Sequence, residues 1–482
     1  MLSQTAYVAF IVAAALVFFA RRNTRKLPPG PPAMPVIGHI HLIPPAGQDL
    51  FFYELGKRYG DVVHLKILNR YMIILNSAQV AVDLLEKRAN IYRDRIYLPI
   101  WELLGMGGLI SFLKGDDKNY RLQRKMFEQY FSKAKSREYR DIQLREARVL
   151  AQNLLAKPET DFIPLTLQFS TSLITEIVYG YRPQVSNDPF LQIIDDCSRA
   201  AVESGPMGGT PIDLFPILRY FPAWFPGTYY ATYARKASRH FKRLIEFPYE
   251  HVKSQMAAGK AKPSFMGSQL EAFKADGQDD ESHVEQLKFA ASAAYSAGAE
   301  TTSSTLSFFL LAMVLYPDCQ TRAQEEIEAV IGSARLPDFA DRENLPYLEC
   351  ILQETVRWNH AAPTGIPRKN VEDDVYNGMF IPKGSTIITN FRAMTLDASI
   401  YKNPTTFDPS RFLPSPLGRG EPHSSTLFGF GRRKCPGRHL AEDSLWIAIA
   451  TILATVSIKR AIDGDGKEII PDAVPTSSGV TR

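Results

Sequence analysis

The chain has 482 residues, of which 45% are hydrophobic and 22% are charged. These proportions are ordinary for a globular protein, and they exclude a disordered chain, a collagen-like fibre and a membrane protein with many spans. The net charge of +5 is too diffuse to predict nucleic-acid binding, but it suits a basic surface that meets an anionic membrane or an acidic partner.

The N-terminal segment predicts a membrane anchor. Residues 1–20 carry no charged side chain, and the stretch from Ala6 to Ala20 is almost wholly apolar. Twenty helical residues span about 30 Å, the thickness of a bilayer core. Basic residues follow directly from Arg21, which favours a cytosolic position for the rest of the chain. We predict a single-pass transmembrane signal anchor at 1–20; a cleaved signal peptide is the alternative.

Residues 21–38 form a basic and proline-rich stretch. It contains the string LPPGPP at 27–32, followed by Pro35 and Gly38. Because proline fixes φ and has no backbone donor, this stretch cannot form a helix. We predict a stiff hinge that holds the body of the protein away from the membrane. The alternative is a flexible linker, which the density of proline disfavours.

The rest of the chain, 39–482, has no internal repeat and no second linker, so we predict one large domain. It is expected to be mainly α with a smaller β part (α+β), and its polar, acidic segment 274–282 to be an exposed loop. The predicted helices cover 120–155, 282–316, 319–331, 347–359 and 437–456, and the β-like runs cover 62–67, 71–75 and 385–389.

Residues 214–225 (LFPILRYFPAWF) are apolar, aromatic and interrupted by proline. Two interpretations fit this composition equally well. The segment can belong to the core, or it can dip into a membrane and admit lipophilic molecules, because Trp and Tyr favour membrane interfaces.

The string FGFGRRKCPG, residues 428–437, surrounds one of the four cysteines, Cys435. A metal-binding thiolate needs close approach of backbone N–H groups and shielding from water. Gly431 and Gly437 permit a tight backbone path, and Phe428 can shield the sulfur. A helix that starts near Gly437 would present its positive end to the thiolate. The other cysteines, Cys197, Cys319 and Cys350, are expected to be buried small apolar residues.

The pattern F-x-x-G-x-R-x-C-x-G in this string resembles the haem-thiolate signature of the cytochrome P-450 family. Three further segments follow the order of that family's motifs. Residues 297–302 (AGAETT) resemble its oxygen-binding helix, 354–357 (ETVR) its ExxR motif and 407–412 (FDPSRF) its P-x-R-F segment. The chain looks most similar to microsomal, fungal secondary-metabolism members, and the resemblance implies the cytochrome P-450 fold and an endoplasmic reticulum location.

The resemblance implies haem b as cofactor, with the Cys435 thiolate as the axial iron ligand. Cations must face the two haem propionates, and Arg433 matches the arginine of the signature. Arg124 resembles the arginine of the family's W-x-x-x-R motif, but Tyr120 stands where Trp is usual; its phenol can still donate to a propionate. Arg368 is a further candidate for this role.

The remaining motif residues have roles in oxygen activation and in the scaffold. Gly298 costs about 1 kcal/mol relative to Ala inside a helix, which suggests that space is needed there. A small-residue packing face is the alternative. The resemblance implies that Thr301 holds oxygen and relays protons, with Glu300 feeding the relay.

Glu354 and Arg357 lie i,i+3 on one helical face, and Arg411 completes the family's charged triad. A surface pair contributing a few tenths of a kcal/mol is the alternative for the first two residues. Their apolar neighbours favour a buried set that is costly to break. We interpret the triad as structural and not catalytic.

The implied activity is insertion of one oxygen atom of O2 into a C–H bond of a lipophilic small molecule in secondary metabolism, with a terpenoid, polyketide or fatty-acid-like skeleton. Electrons derived from NADPH would come through NADPH–cytochrome P-450 reductase or cytochrome b5, attracted by Arg432, Lys434 and Arg438. The alternatives are a haem-thiolate isomerase or dehydratase and a haem-binding protein without turnover. The family usually continues beyond 477–480 with a β-hairpin, so a C-terminus that ends at Arg482 is expected to be short by its last strands.

Overall fold

A computed structural model of the chain describes residues 25–156, 161–184, 187–424 and 426–472. The predicted anchor at 1–20 and the expected short C-terminal end lie outside these residues. The described part is mainly helical with a small sheet, which confirms the predicted fold class.

Helices make up most of the described part, and the strands are brief. The helices are Gln48–Tyr59 (α1), Ala78–Val82 (α2), Pro99–Leu103 (α3), Lys118–Tyr130 (α4), Lys133–Arg137 (α5), Arg140–Ala156 (α6), Ile163–Tyr179 (α7), Pro189–Glu203 (α8), Pro211–Leu214 (α9), Tyr229–Ala257 (α10), Phe265–Ala275 (α11), Glu281–Leu315 (α12), Pro317–Ile331 (α13), Pro346–Trp358 (α14), Phe391–Thr395 (α15) and Arg438–Thr455 (α16). The strands are Val62–Ile67 (β1), Arg70–Leu75 (β2), Asp94–Arg95 (β3), Arg368–Lys369 (β4), Asp374–Tyr376 (β5), Met379–Ile381 (β6) and Thr386–Thr389 (β7).

Five strands form the larger sheet in the order β1-β2-β7-β4-β3, and β5 pairs with β6 separately. β1 and β2 form an antiparallel pair in which Val62 faces Leu75, whereas β2 and β7 are parallel. β7 then pairs antiparallel with β4. The sheet therefore brings residues near 70 beside residues near 370 and 387, which are distant in the chain.

The central helix α12 organises the helical part. It packs most extensively against α7, and α16 packs against α6. Within the described part of the chain, α12 is the one helix long and apolar enough to cross a membrane by length and composition. More than half of its apolar window is buried inside the protein, which is also the property of a core helix.

The described part of the predicted hinge lies against the sheet. The backbone N–H of His64 donates to the Pro29 carbonyl at 2.9 Å, and that of Phe380 donates to the Lys26 carbonyl at 2.7 Å. A Cβ atom at Gly30 would lie 2.2 Å from the His64 carbonyl oxygen, so this close approach needs glycine. These contacts fix the orientation of the described part of the hinge relative to the rest of the protein.

The prediction of one continuous helix over 120–155 is wrong. The structure has three helices there, α4, α5 and α6. α4 ends at Tyr130, and the Ser132 side chain accepts a hydrogen bond from the Lys135 backbone N–H at 3.4 Å, which starts α5. The run 132–138 (SKAKSRE) is polar except for Ala134, so both breaks fall where the apolar periodicity lapses.

Several helices between 161 and 275 carry no sequence prediction, namely α7, α8, α10 and α11. α7 is rich in Thr, Ser and Ile, residues that lower helix propensity, and tertiary burial against α12 overrides this preference. The apolar segment 214–225 is not core. Ile217, Tyr220 and Trp224 on it are 62%, 70% and 80% exposed.

Candidate active site

A cavity of about 360 Å³ lies between α12 and the loop that carries Cys435. Apolar side chains from α4, α7, α14 and α16 form much of its wall, and no Asp or Glu of the described residues lines it. The sequence-predicted residues that line it are Gly298, Thr301, Tyr120, Arg124, Arg368, Arg433, Phe428 and Cys435.

The loop around Cys435 is held by its glycines and by one backbone hydrogen bond. The Cys435 N–H donates to the Phe428 carbonyl at 2.8 Å, which closes the loop. Gly431 has φ +52, and a Cβ there would lie 2.5 Å from the Leu85 carbonyl oxygen, so both conformation and space require glycine. α16 begins at Arg438, directly after the cysteine loop. The sulfur is therefore fixed at the N-terminal end of a buried helix.

The surroundings of the Cys435 thiol have opposing effects on its pKa. Burial raises its pKa, whereas the backbone N–H of Gly437 and the charges of Arg124 and Arg438 lower it. A thiol that is shielded from water but surrounded by donors and cations is suited to exist as a thiolate when a metal ion supplies the missing positive charge.

Four arginines, Arg95, Arg124, Arg368 and Arg433, line the same cavity. Burial lowers the pKa of Arg368 to about 10, and the charge of Arg433 adds to this effect. The pKa of Arg95 is likewise held well below its usual range by burial, and then by the charges of Arg433 and Arg368. Arg124 is paired with Glu128 at 2.8 Å, whereas no carboxylate of the described residues lines the cavity beside the other three guanidinium groups. These three repel one another and therefore suit an anion from outside the protein chain.

Backbone carbonyls hold Arg368 and Arg433 in place without neutralising them. Arg433 donates to the carbonyls of Arg93 at 3.0 Å and Leu113 at 2.6 Å, and Arg368 donates to the Phe430 carbonyl at 2.7 Å. The buried Nε atom of Arg95 has no hydrogen-bond partner among the residues that the structure describes. An unsatisfied guanidinium N–H beside three other cations is a donor set for an anionic ligand.

The Tyr120 phenol connects α4 to the cysteine loop. It donates to the Arg432 carbonyl at 2.6 Å, and the Arg433 guanidinium lies 3.9 Å from the centre of its ring. Arg124 donates from the same helix to the Lys434 carbonyl at 2.8 Å. Tyr120 thus supports the arginine cluster through its ring as well as through its hydroxyl group.

The haem implied by the cysteine motif fits these residues. The group needs one thiolate ligand, an apolar space for its ring and cations for two propionates. Cys435 would supply the sulfur, and the four arginines, including the orphaned Nε of Arg95, would supply donors for the propionates.

Thr301 and Gly298 both open onto the cavity from α12. The Thr301 hydroxyl donates to the Ala297 carbonyl one turn back at 2.7 Å, and Ser170 of α7 donates to the neighbouring Ala299 carbonyl at 2.7 Å. Such side-chain bonds weaken the regular helix locally. A Cβ at Gly298 would lie 2.9 Å from Ile174, so the glycine also lets α7 approach α12.

Glu300 occupies a different position from Thr301. It is not among the residues that line the cavity, and its carboxylate accepts a hydrogen bond from Ser198 on α8. Its role in feeding a proton relay stays a prediction.

The structure brings Glu354, Arg357 and Arg411 together, all fully buried. Arg357 donates to both Glu354 oxygens at 2.7 Å, and Arg411 donates to Glu354 at 3.0 Å and to Glu421 at 2.7 Å. Arg357 also donates to the Thr395 carbonyl at 2.7 Å. The set joins α14 to the segment before the cysteine loop and does not line the cavity.

Sequence reasoning missed Arg95 and His360, which also line the cavity. Arg95 stands on the two-residue strand β3, and no motif surrounds it. Pairing of Arg95 with Arg368 across β3 and β4 is what places it. An unassigned arginine directly before a short apolar run is too common a pattern to have identified it.

We expect the Arg95→Gln variant to bind haem about tenfold more weakly or worse, because a charged hydrogen-bond donor in a buried site is lost. The measurement is haem content per chain after gel filtration, together with haem loss to an apo-myoglobin acceptor. Arg121→Gln, on the exposed face of α4, is the control. Equal haem loss from the two variants would contradict the assignment of Arg95.

The chain is similar to known proteins over most of its length. The family model for cytochrome P450 matches residues 28–474. A cytochrome P450 monooxygenase 176 of Postia placenta is 36% identical over 98% of this chain and 92% of its own length. The cytochrome P450 monooxygenase claR of Ampulloclitocybe clavipes is 36% identical over 94% of this chain and 84% of its own length. The cytochrome P450 monooxygenase COX2 of Coprinopsis cinerea is 35% identical over 96% of this chain and 90% of its own length.

Proposed function

The chain belongs to the cytochrome P450 family of haem-thiolate monooxygenases, and we propose that it inserts one oxygen atom of O2 into a C–H bond of a lipophilic small molecule in secondary metabolism. The observation that carries the proposal is that Cys435 and Thr301 line the same apolar cavity. A ligand atom for iron and a hydroxyl group for proton transfer thereby share one enclosed space.

The apolar wall of the cavity supports a lipophilic substrate. Phe127, Leu173, Ile174 and Val356 line it, and they offer no hydrogen bonds to a polar skeleton. Such a wall orients a substrate by shape and excludes water when the substrate fills the space. Terpenoid, polyketide and fatty-acid-like skeletons all fit this description.

When bound, haem supplies the oxygen chemistry, with the Cys435 thiolate as a strong electron donor. The protein residues orient the haem and donate protons into the cavity. The Thr301 hydroxyl lies beside the cavity and donates to the Ala297 carbonyl. Rotation about χ1 lets it donate into the cavity instead. The arginines Arg95, Arg368 and Arg433 orient the group by its propionates.

The outer side of the cysteine loop supports docking of an acidic electron donor. Arg432 is exposed there. Arg121 and Lys125 are also exposed, on helix α4, which is tied to the loop by the hydrogen bond from Arg124. We propose NADPH–cytochrome P450 reductase as the donor, with cytochrome b5 as a second one.

The exposed apolar segment supports attachment to a membrane. Ile217, Tyr220 and Trp224 present aromatic and aliphatic surface to solvent, and Val36 in the hinge is 85% exposed. Together with the anchor proposed at 1–20, such a surface suits a single-pass protein of the endoplasmic reticulum membrane whose catalytic domain rests on the cytosolic leaflet.

Oxygenation is tested with the full chain reconstituted in vesicles with NADPH–cytochrome P450 reductase and a panel of lipophilic acids, alcohols and terpenes. We expect substrate-dependent NADPH oxidation and a product that carries one atom from labelled O2. An isomerised or dehydrated product without NADPH oxidation would instead support the isomerase or dehydratase alternative. Haem binding without any turnover would refute the monooxygenase proposal.

We expect the Thr301→Ala variant to divert electrons from product into peroxide, because the proton donor at the cavity is lost. Product per NADPH should fall several-fold while haem content stays normal. Ser304→Ala is the matched control, since the Ser304 hydroxyl donates to the Glu300 carbonyl one turn back at 2.9 Å but does not line the cavity. Unchanged coupling in the Thr301 variant would refute the relay.

A further inference from the structure

A second cavity, of about 350 Å³, lies next to the proposed haem site. α1, β2, β7 and the segment 206–208 contribute to its wall. Gly365 lines both cavities. Its φ is +58, and a Cβ there would lie 3.0 Å from the Phe391 ring, so this position between the two cavities favours glycine.

The strand register explains why the two cavities have different charged residues. Lys369 pairs with Thr386, and Thr386 pairs with Met72. Residues directly opposite one another share a face of the sheet, and successive residues alternate between faces. Lys369 therefore points to the second cavity, whereas its neighbour Arg368 points to the haem site.

Arg70 joins Lys369 on this face, because it precedes Met72 by two residues on β2. The Cα atoms of Arg70 and Lys369 are about 12 Å apart by ideal sheet spacing, two strands across and two residues along. Side chains of this length can reach a common group between them. The N-terminal turn of α1, at Gln48 and Asp49, lines the same cavity and adds the positive end of a helix.

Among the described residues, the two acidic residues that line this cavity, Asp49 and Asp213, form no ion pair with Arg70 or Lys369. Asp49 is buried in a salt bridge with Arg392 at 3.3 Å. The Asp213 carboxylate is 1% exposed and accepts hydrogen bonds from Thr210 at 2.8 Å and from the Ile100 backbone N–H at 3.3 Å.

Arg70 and Lys369 are both exposed to the cavity side of the sheet. Arg70 donates only to the Asp213 backbone carbonyl, at 2.9 Å. Within the ranges that the structure describes, no carboxylate lies within 4.0 Å of either cation. The charge that a ligand meets here is therefore positive.

The rest of the cavity is apolar. Phe52, Ile96, Leu98, Met207 and Ile388 line it. A ligand that suits this surface carries one anionic group and an extended apolar body. With its anionic end at the sheet and its body directed past Gly365, such a molecule would present a carbon far from the anion to the haem site.

We infer that the substrate is an amphipathic carboxylic acid, and that Arg70 and Lys369 bind its carboxylate. This inference rests on the proposed monooxygenase function, and it adds the chemical class of the substrate. It also implies that oxygenation occurs at a carbon remote from the carboxylate, because the two ends of the ligand occupy different cavities.

The test compares carboxylic acids with the primary alcohols of equal chain length, from decanoic to hexadecanoic acid, on the full-length holoenzyme. Binding is measured by the spin-state shift of the haem and, independently of haem, by equilibrium dialysis of radiolabelled ligands. We expect an acid to bind at least about tenfold more tightly than its alcohol, as charged hydrogen bonds predict. In R70Q/K369Q this preference should fall to within about twofold.

Two further variants separate charge from shape. R70K/K369R retains both charges and should retain the preference for acids. K260Q, which removes an exposed lysine after α10, should behave as the unsubstituted protein. Absence of a preference for acids at every chain length would overturn the inference, and so would its persistence in R70Q/K369Q.

Anionic lipid is the other source of a negative head group at this site. If R70Q/K369Q loses binding to vesicles that contain phosphatidylserine but keeps its preference for free acids, the cations serve the membrane and the inference is wrong. Dialysis that shows the preference without any NADPH-dependent oxygenation would refute the proposed function alone. Oxygenation of acids and alcohols with equal affinity would refute the inference alone.

Discussion

Replacement of Cys435 by alanine is expected to abolish the red-shifted Soret band of the reduced carbonyl complex completely. That band requires a thiolate ligand to the iron, and Cys435 is the cysteine among the described residues that lines the cavity. The chain should still fold, because the loop is closed by the backbone bond from the Cys435 N–H to the Phe428 carbonyl, which alanine preserves. The measurement is the difference spectrum of the reduced, carbonylated protein.

Cys319→Ala is the control for this experiment. Cys319 lies near the start of α13, outside the cavity, and the thiol is partly buried. The control variant should keep the band at its normal position. If the Cys435→Ala protein kept the band, the ligand assignment, and with it the proposed function, would be wrong.

Replacement of Arg357 by alanine is expected to lower the free energy of unfolding by about 3–5 kcal/mol, because it leaves the Glu354 carboxylate buried without one of its two partners. Glu354, Arg357 and Arg411 are all 0% exposed, so water cannot replace the lost guanidinium. The segment that precedes the cysteine loop would loosen, and haem content should fall with stability. Urea unfolding followed by tryptophan fluorescence, with haem content per chain, measures both effects.

Two comparisons define what the triad does. Arg357→Lys keeps the charge but not the two parallel bonds to Glu354, and it should fall between the native protein and the alanine variant. Arg199→Ala breaks ion pairs whose arginine is 65% exposed, and its effect should be far smaller. Equal losses for Arg357→Ala and Arg199→Ala would contradict a structural role for the triad.

Local patterns predicted the regular elements that depend on local chemistry. The strand at 62–67 and the helices near 282–316, 319–331, 347–359 and 437–456 lie where the sequence places them, to within a few residues. Their apolar periodicity is strong, and proline or glycine marks several of their ends. The prediction of a helix over 120–155 failed because it passed over the polar run 132–138, in which a serine cap starts a new helix.

The site residues also divide into those that the local sequence identified and those that only strand pairing placed. A cysteine within a glycine-rich loop before a helix is a local arrangement, so the string at 428–437 by itself determined the candidate iron ligand, and ETVR at 354–357 determined a charged pair on one helical face. Only the tertiary structure decided that Arg95 joins the arginine cluster and that Lys369 points away from Arg368 towards a second cavity. The physical reason is that both outcomes depend on pairing between strands far apart in the chain, and strand register is set by burial of the whole sheet, not by the residues around either position.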